Sequence, residues 1–305
     1  MTRTSHTHQR VAILPCLLGL LLWLSAPCPA AADAYDEGLL FRLTPRGAPP
    51  GDGPAASYLL GTIHSEDPRV VQLPEPVRRC FDQSDVLVME VVPDVRSRAA
   101  SAAAMSFHGG RTLAELLPAD VYDQTVAALA QRGLAEAAVR GLKPWAVTLV
   151  LSMPPAKTGE FLDLSLYRQA VESAKPVLGI ESIEEQLGVF EGLSDAEQIA
   201  LLRETLASLP ELPVVFEALV DAYGDRDLAR LMALGEQQLS AGPPALAARF
   251  RGLLLDRRNA RMARRIRPLA AAGGHFFAIG ALHLPGPGGV LQRLSDAGFR
   301  IERVY

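Results

Sequence analysis

Two histidines in this chain stand in matching surroundings. Tyr58-Leu-Leu-Gly-Thr-Ile-His64 and Phe277-Ala-Ile-Gly-Ala-Leu-His283 each read as an apolar strand closing in Gly-x-x-His, followed by a proline-containing loop. Glycine there lets the backbone turn or pack closely, while the strand holds the imidazole at the sheet's end. Glu90 interrupts the apolar run Asp85–Val91 (DVLVMEV), where an unpaired charge would be costly. Two imidazoles and a carboxylate suit a divalent Zn, Mn or Fe ion. The same residues could instead serve the structure alone, with the histidines hydrogen-bonded across an interface and Glu90 bridged to an arginine. Spacing by itself leaves both readings open.

Arg258 falls at helical spacing with Leu254, Met262 and Ile266, so it is expected to point inward and to pair with a site carboxylate. It belongs to a stretch, residues 249–267, with eight arginines against the single acid Asp256, read mainly as a solvated helix face and secondarily as an anion-binding surface. His108 and His275 read as loop histidines, Trp145 as a packing residue and Cys80 as a buried, inert thiol.

The elements that must position these groups alternate between strands and helices. Strand-length apolar runs cover Leu39–Leu43, Ser57–Ile63, Asp85–Val91, Pro176–Ile180, His275–Leu282 and Phe299–Tyr305, and the first two form a hairpin around the Pro/Gly-rich loop Thr44–Ala56. Capping boxes at Thr112/Glu115, Ser182/Glu185 and Ser194/Glu197 start helices in the middle of the chain, which stays helical until about Pro268. Both ends share the order strand, loop, helix, strand: aligning Val77 with Val290 places Phe81 on Leu294 and Val88 on Ile301. Two related halves facing each other about a pseudo-twofold axis follow. Glu90 then falls opposite Arg303, so the acid has no copy in the second half.

The chain has 305 residues, 30 basic against 34 acidic, for a net charge of −4. Residues 1–32 hold Arg3 and Arg10 and no acid, so the charge without them is −6. Arg3 and Arg10 precede the apolar Val11–Leu24 and a run of small residues, the pattern of an export signal cleaved near Ala32 or Ala34. The apolar stretch is too short for a stable membrane span, and Pro27 before Cys28 argues against a lipoprotein. A periplasmic or secreted location is expected, residues 33–305 are read as a single domain, and His6 and His8 drop out as site candidates. Removal of Cys16 and Cys28 leaves Cys80 alone, which excludes an intramolecular disulfide and any cysteine-rich metal site. Mild acidity excludes a dedicated nucleic-acid binder; oligomeric state is not legible.

At this point the chain resembles the TraB/GumN family, which includes Tiki-like metalloproteases and is distantly similar to ChaN-like and erythromycin-esterase-like proteins. The resemblance rests on YLLGTIHSEDPRV (58–70) with SDVLVMEV (84–91), GRTLAELLP (110–118) with LKPW (142–145), KPVLGIESIEEQL (175–187), Arg258-Asn259 and FAIGALHLPGPGGVLQRLSDAGFRIERV (277–304). Met262 departs from the tryptophan usual after the Arg-Asn pair. The resemblance implies a mixed α/β fold of two related small sheets flanked by helices, with a site built from His64, His283 and Glu90, while Asp163, Glu181 and Arg258 match further family positions. The expectation is an exported metal-dependent hydrolase, in its narrower form a peptidase, acting on a peptide or small-molecule substrate. One divalent metal would be held by His64 and His283, with Glu90 as third ligand or as general base, Asp163 and Glu181 as additional or outer ligands, and Arg258 stabilising developing negative charge. The alternative is a non-catalytic binding protein that sequesters a peptide, a signalling molecule or haem.

Overall fold

The computed structural model describes residues 35–47, 55–239 and 242–305. The export signal expected over residues 1–32 and the middle of the Thr44–Ala56 loop lie outside them.

Six apolar runs form six strands: β1 (Leu40–Pro45), β2 (Ser57–Thr62), β3 (Val86–Met89), β4 (Val177–Gly179), β5 (His275–Gly280) and β6 (Phe299–Arg303). They lie in one sheet in the order β4-β3-β5-β2-β1-β6. β4, β3, β5 and β2 run parallel to one another, and β1 runs antiparallel to both β2 and β6. Residues of β2 are buried throughout, as continuous apolar runs in the middle of a covered parallel sheet require. The mixed α/β class is as expected.

The two small sheets are one. β2 and β5, each expected to belong to its own half, pair directly with each other from Tyr58↔Phe276 to Thr62↔Gly280. The two connections then interleave: the chain leaving β2 passes β5 to reach β3, and the chain leaving β5 passes β2 and β1 to reach β6. Right-handed crossovers running in opposite directions place their helices, Glu75–Asp82 and Val290–Asp296, on opposite faces. The register carries the repeat in another form. Tyr58 and Phe277 are equivalent in the motif, yet Tyr58 sits opposite Phe276, one residue away. Because side chains alternate along a strand, this offset turns equivalent residues toward opposite faces, as a twofold axis lying along the strands demands.

β4, though an apolar run, is not buried. It is a sheet edge, with Leu178 43% exposed, because the chain turns away after Ile180 and no strand covers it. Its short length limits the open edge. The main core lies on the sheet, where Phe81 meets Phe276 edge to face at 5.4 Å. Two smaller clusters sit among the helices, one around Leu113, Leu129 and Leu151, the other around Trp145 stacked 5.4 Å from Phe190. Trp145 is fully buried, as a packing residue should be, and its indole N–H donates to Glu191.

All three capping boxes form. The first opens only the single turn Leu113–Leu116, because Pro118 starts a new helix, Ala119–Ala130. Helix Arg257–Ala272 continues through Pro268, beyond its expected end. Just before it, Gly252–Asp256 forms a wide π turn. The buried stripe of Arg258, Met262 and Ile266 is as expected, but across the π turn it leaves Leu254, which packs instead with the Phe190–Phe250 cluster.

In the second capping box Glu185 does more than cap. One oxygen accepts from the Ser182 N–H at 3.0 Å, and both pair with Arg265 at 2.7 and 2.8 Å. Arg265 first, then the Ser182 N–H, pulls its carboxyl down to about 2 against a smaller opposing effect of burial. A depressed folded-state value means stability that is present above the ordinary carboxyl range and is lost as pH falls from about 4.5 toward about 2. Glu185→Gln is therefore expected to lose about 1 kcal/mol at pH 6 and to converge with the parent protein near pH 2, read from urea denaturation at both pH values.

Candidate metal and hydrolytic site

The C-terminal ends of β2, β3 and β5 bring the expected residues to one end of the sheet. Gly61 is required there by close approach: a Cβ on it would stand 2.8 Å from Leu284 Cδ1 and 3.2 Å from Ala281, in the turn that carries His283. Gly280 is required by the site itself, since its Cβ would lie 3.2 Å from Glu90 Oε1 and 3.4 Å from the His283 ring. The two Gly-x-x-His glycines thus seat the second turn against the first strand and admit the carboxylate to the second turn.

Glu90 follows β3, and its charge is heavily compensated. Oε1 accepts from the Gly280 N–H at 2.7 Å, while Oε2 accepts from Arg258 at 2.6 Å and from Gln186 at 2.9 Å. Burial works to raise its pKa; His283, Arg258 and the Gly280 N–H overcome it and hold the carboxyl down at about 2. At neutral pH Arg258, the Gly280 N–H and His64 carry that effect, because His283 is itself pushed down to about 4, mainly by burial, and is uncharged there.

His283 is 7% exposed, and its tautomer can be derived. The amide N of Asn259 donates to the Gly288 carbonyl at 3.1 Å, which fixes the amide's orientation and turns Oδ1 toward His283 Nδ1, 2.6 Å away. Nδ1 must then carry the proton, leaving a lone pair on Nε2, 3.8 Å from Glu90 Oε1. An imidazole oriented by a carbonyl acceptor behind it, with the other nitrogen free, is the usual arrangement of a metal-binding histidine.

His64 follows β2 with its side chain 60% exposed, resting on Phe161 at 5.2 Å. Asp163, in the first turn of helix Leu162–Glu172, faces it. Oδ1 accepts from Thr62 at 2.9 Å, whereas Oδ2 stands 3.2 Å from His64 Nδ1 without hydrogen-bond alignment. That oxygen is buried and has no hydrogen-bond partner among the described residues. Burial lowers the His64 pKa and Asp163 more than reverses this, lifting it to about 9, with Glu90 adding to the rise and Arg258 opposing it. Water reaching so exposed a ring moderates that rise.

Glu181 is placed differently. It is fully buried; Oε2 accepts from Arg258 at 2.9 and 2.7 Å and Oε1 accepts from Arg261 at 3.0 and 2.6 Å. Both oxygens are taken by arginines, so of the two expected roles, additional or outer ligand, the geometry suits the outer one. Arg258 is 5% exposed and joins Glu90 to Glu181, the expected pairing with a carboxylate. Three contributors were missed: Thr62, a hydroxyl inside the first motif where the second has Ala281; Asn259, noticed only as the arginine's neighbour; and Gln186, with no signal beyond its capped helix.

The donors therefore come as two pairs, an exposed His64 against a largely buried Asp163 and a buried His283 with Glu90. Among the described residues no three His, Cys, Asp or Glu side chains are already grouped closely enough to hold a metal. The chemistry of the donors still fits a borderline divalent cation: a tautomer-locked imidazole, an ionised carboxylate and a buried carboxylate oxygen without a hydrogen-bond partner among the described residues.

Fold and site define a mixed α/β protein with a histidine–carboxylate centre at the ends of its parallel strands. The chain belongs to the TraB/PrgY/gumN family, whose model matches residues 51–303. It is 26% identical over 298 residues to metalloprotease TIKI1 of Danio rerio, covering 81% of this chain and 60% of that protein. It is 25% identical over 299 residues to TIKI1 of Homo sapiens, covering 81% and 59%. With metalloprotease TIKI2 of Xenopus tropicalis the identity is 27%, covering 81% and 57%. The chain thus spans about 60% of the length of these curated relatives. No solved structure matches it. No helix among the described residues is long and apolar enough to cross a membrane.

Proposed function

We propose that the protein is an exported, metal-dependent peptide hydrolase whose single domain spans residues 33–305. His64 with Asp163 and His283 with Glu90 would hold one divalent metal. The observation that carries this reading is the locked His283: Gly288 orients Asn259, Asn259 holds the Nδ1 proton, and Nε2 is left facing Glu90. The buried Asp163 oxygen without a partner supports the other half of the site. The relatives' name as metalloproteases supports the peptide substrate.

A bound divalent metal would lower the pKa of water toward neutrality. The chain's own residues divide the remaining work. Glu90, held down at about 2, is a weak proton acceptor at neutral pH and a permanent anionic donor, which favours ligand over general base. Glu181 and Glu90 fix the Arg258 guanidinium rigidly, and its Nη1, which makes no hydrogen bond among the described residues, is the atom left to stabilise negative charge on the substrate. Exposed His64 borders the solvent side, where a peptide enters.

Metal analysis of the purified mature protein tests the reading. About one equivalent of Zn or Mn is expected in the parent protein, chelator-sensitive cleavage of a mixed peptide library should accompany it, and His64→Ala and His283→Ala should each lose most of the metal. Full metal content in both variants would overturn the shared site, and ligand retention without turnover would make the protein a binder.

A further inference from the structure

The arginine-rich stretch resolves into two populations. Arg249, Arg251, Arg258, Arg261 and Arg265 each pair with a carboxylate. Arg257, Arg264 and Arg267 are exposed and have no carboxylate within 4.0 Å among the described residues. Two of these three converge with Arg46, from the end of β1, on a groove of about 670 Å3 whose other walls include Pro45, Pro268 and Ala271 and which is lined by no acid among the described residues. Arg46 is steadied by Ser295, at 3.2 Å.

The groove is far from the histidines. Phe299 begins β6 opposite Pro45, and Leu43 pairs with Ser57 at the start of β2, so the groove opens at the end of the sheet where β2 begins. Along helix Arg257–Ala272, Arg267 lies nine residues beyond Arg258, about 13 Å at 1.5 Å per residue.

We propose that this groove binds a phosphate-bearing organic ligand. Three guanidinium groups offer many planar N–H donors, which match the several oxygens and the multiple charge of a phosphoryl group better than a single carboxylate does. Pro45, Pro268 and Ala271 give an attached organic body an apolar surface, and the volume lies in the range of small-ligand sites. The proposal is independent of the metal centre.

Sodium pyrophosphate titrated calorimetrically at low salt, and cosedimentation with phosphatidylglycerol/phosphatidylcholine vesicles against phosphatidylcholine alone, test it. Arg264→Gln with Arg267→Gln is expected to weaken binding about tenfold or more, Arg46→Gln, on another element, should weaken it in the same direction, and Arg257→Gln should leave it within about twofold. Binding of pyrophosphate points to a free phosphate compound; binding of the anionic vesicles alone points to a lipid headgroup. The proposal is overturned if the parent protein binds neither probe, or if Arg257→Gln weakens binding as much as the groove variants do, since charge alone would then explain it.

Discussion

Replacing Arg258 by methionine is expected to destabilise the fold by about 3–5 kcal/mol, the usual cost of breaking a buried ion pair from one side. Methionine fills much of the same space, so packing changes little. What changes is that the inner oxygen of Glu181, fully buried, loses both its donors, and Glu90 Oε2 keeps only Gln186. Arg258→Lys keeps the charge but replaces a planar fork that spans two carboxylates by a single ammonium, and should fall between. Urea titration reads the effect, with Arg257→Met as the reference at an exposed neighbouring position, expected within about 0.5 kcal/mol of the parent protein. An unchanged midpoint for Arg258→Met would mean that the two carboxylates are not held by this arginine.

Asn259→Ala is expected to lower metal affinity by about 10–100-fold while leaving His64, His283, Glu90 and Asp163 in place. Without Oδ1, nothing holds the proton on Nδ1, and the imidazole can present either nitrogen to Glu90. Asn259→Asp restores an acceptor for Nδ1 but sets a carboxylate beside the Gly288 carbonyl, so it should recover part of the affinity and less of the stability. Competition with a chromogenic chelator measures affinity, and nitrogen chemical shifts of the metal-free His283 ring report the tautomer directly. Parent-like shifts together with parent-like affinity in Asn259→Ala would remove Asn259 from the site.

Much of this was legible in the sequence because each feature was local. Continuous apolar runs of strand length mark all six strands, and Ser or Thr followed three residues later by Glu marks the capped helices, since both patterns depend on neighbouring backbone only. Recurrence of Gly-x-x-His correctly singled out strands that meet, but equivalence of sequence does not say which edges pair. Two separate sheets and one interleaved sheet place the same motifs at strand ends, and only the direct β2–β5 pairing distinguishes them. Glu181 shows the limit for carboxylates. Ligand and anchor are the same residue type, and the difference lies in Arg258 and Arg261 arriving from a helix 77 and 80 positions away. Asn259 was hidden for the same reason: its role depends on a carbonyl, Gly288, that no side-chain pattern reveals.

The side-by-side placement of β2 and β5 also sets a schedule for the growing chain. Ser57 at the start of β2 bonds to His275 at the start of β5 across 218 positions, so the middle of the sheet closes a loop of most of the protein. Helices in between can form early from local contacts, whereas this pairing waits until β5, 218 positions after the start of β2, has been made. Both histidine turns depend on it. A chain cut short before His275 would keep its helical clusters, yet would lack β5 and its histidine and would have no neighbour to seat Gly61. The two histidine turns are thereby assembled only after β5 has been made.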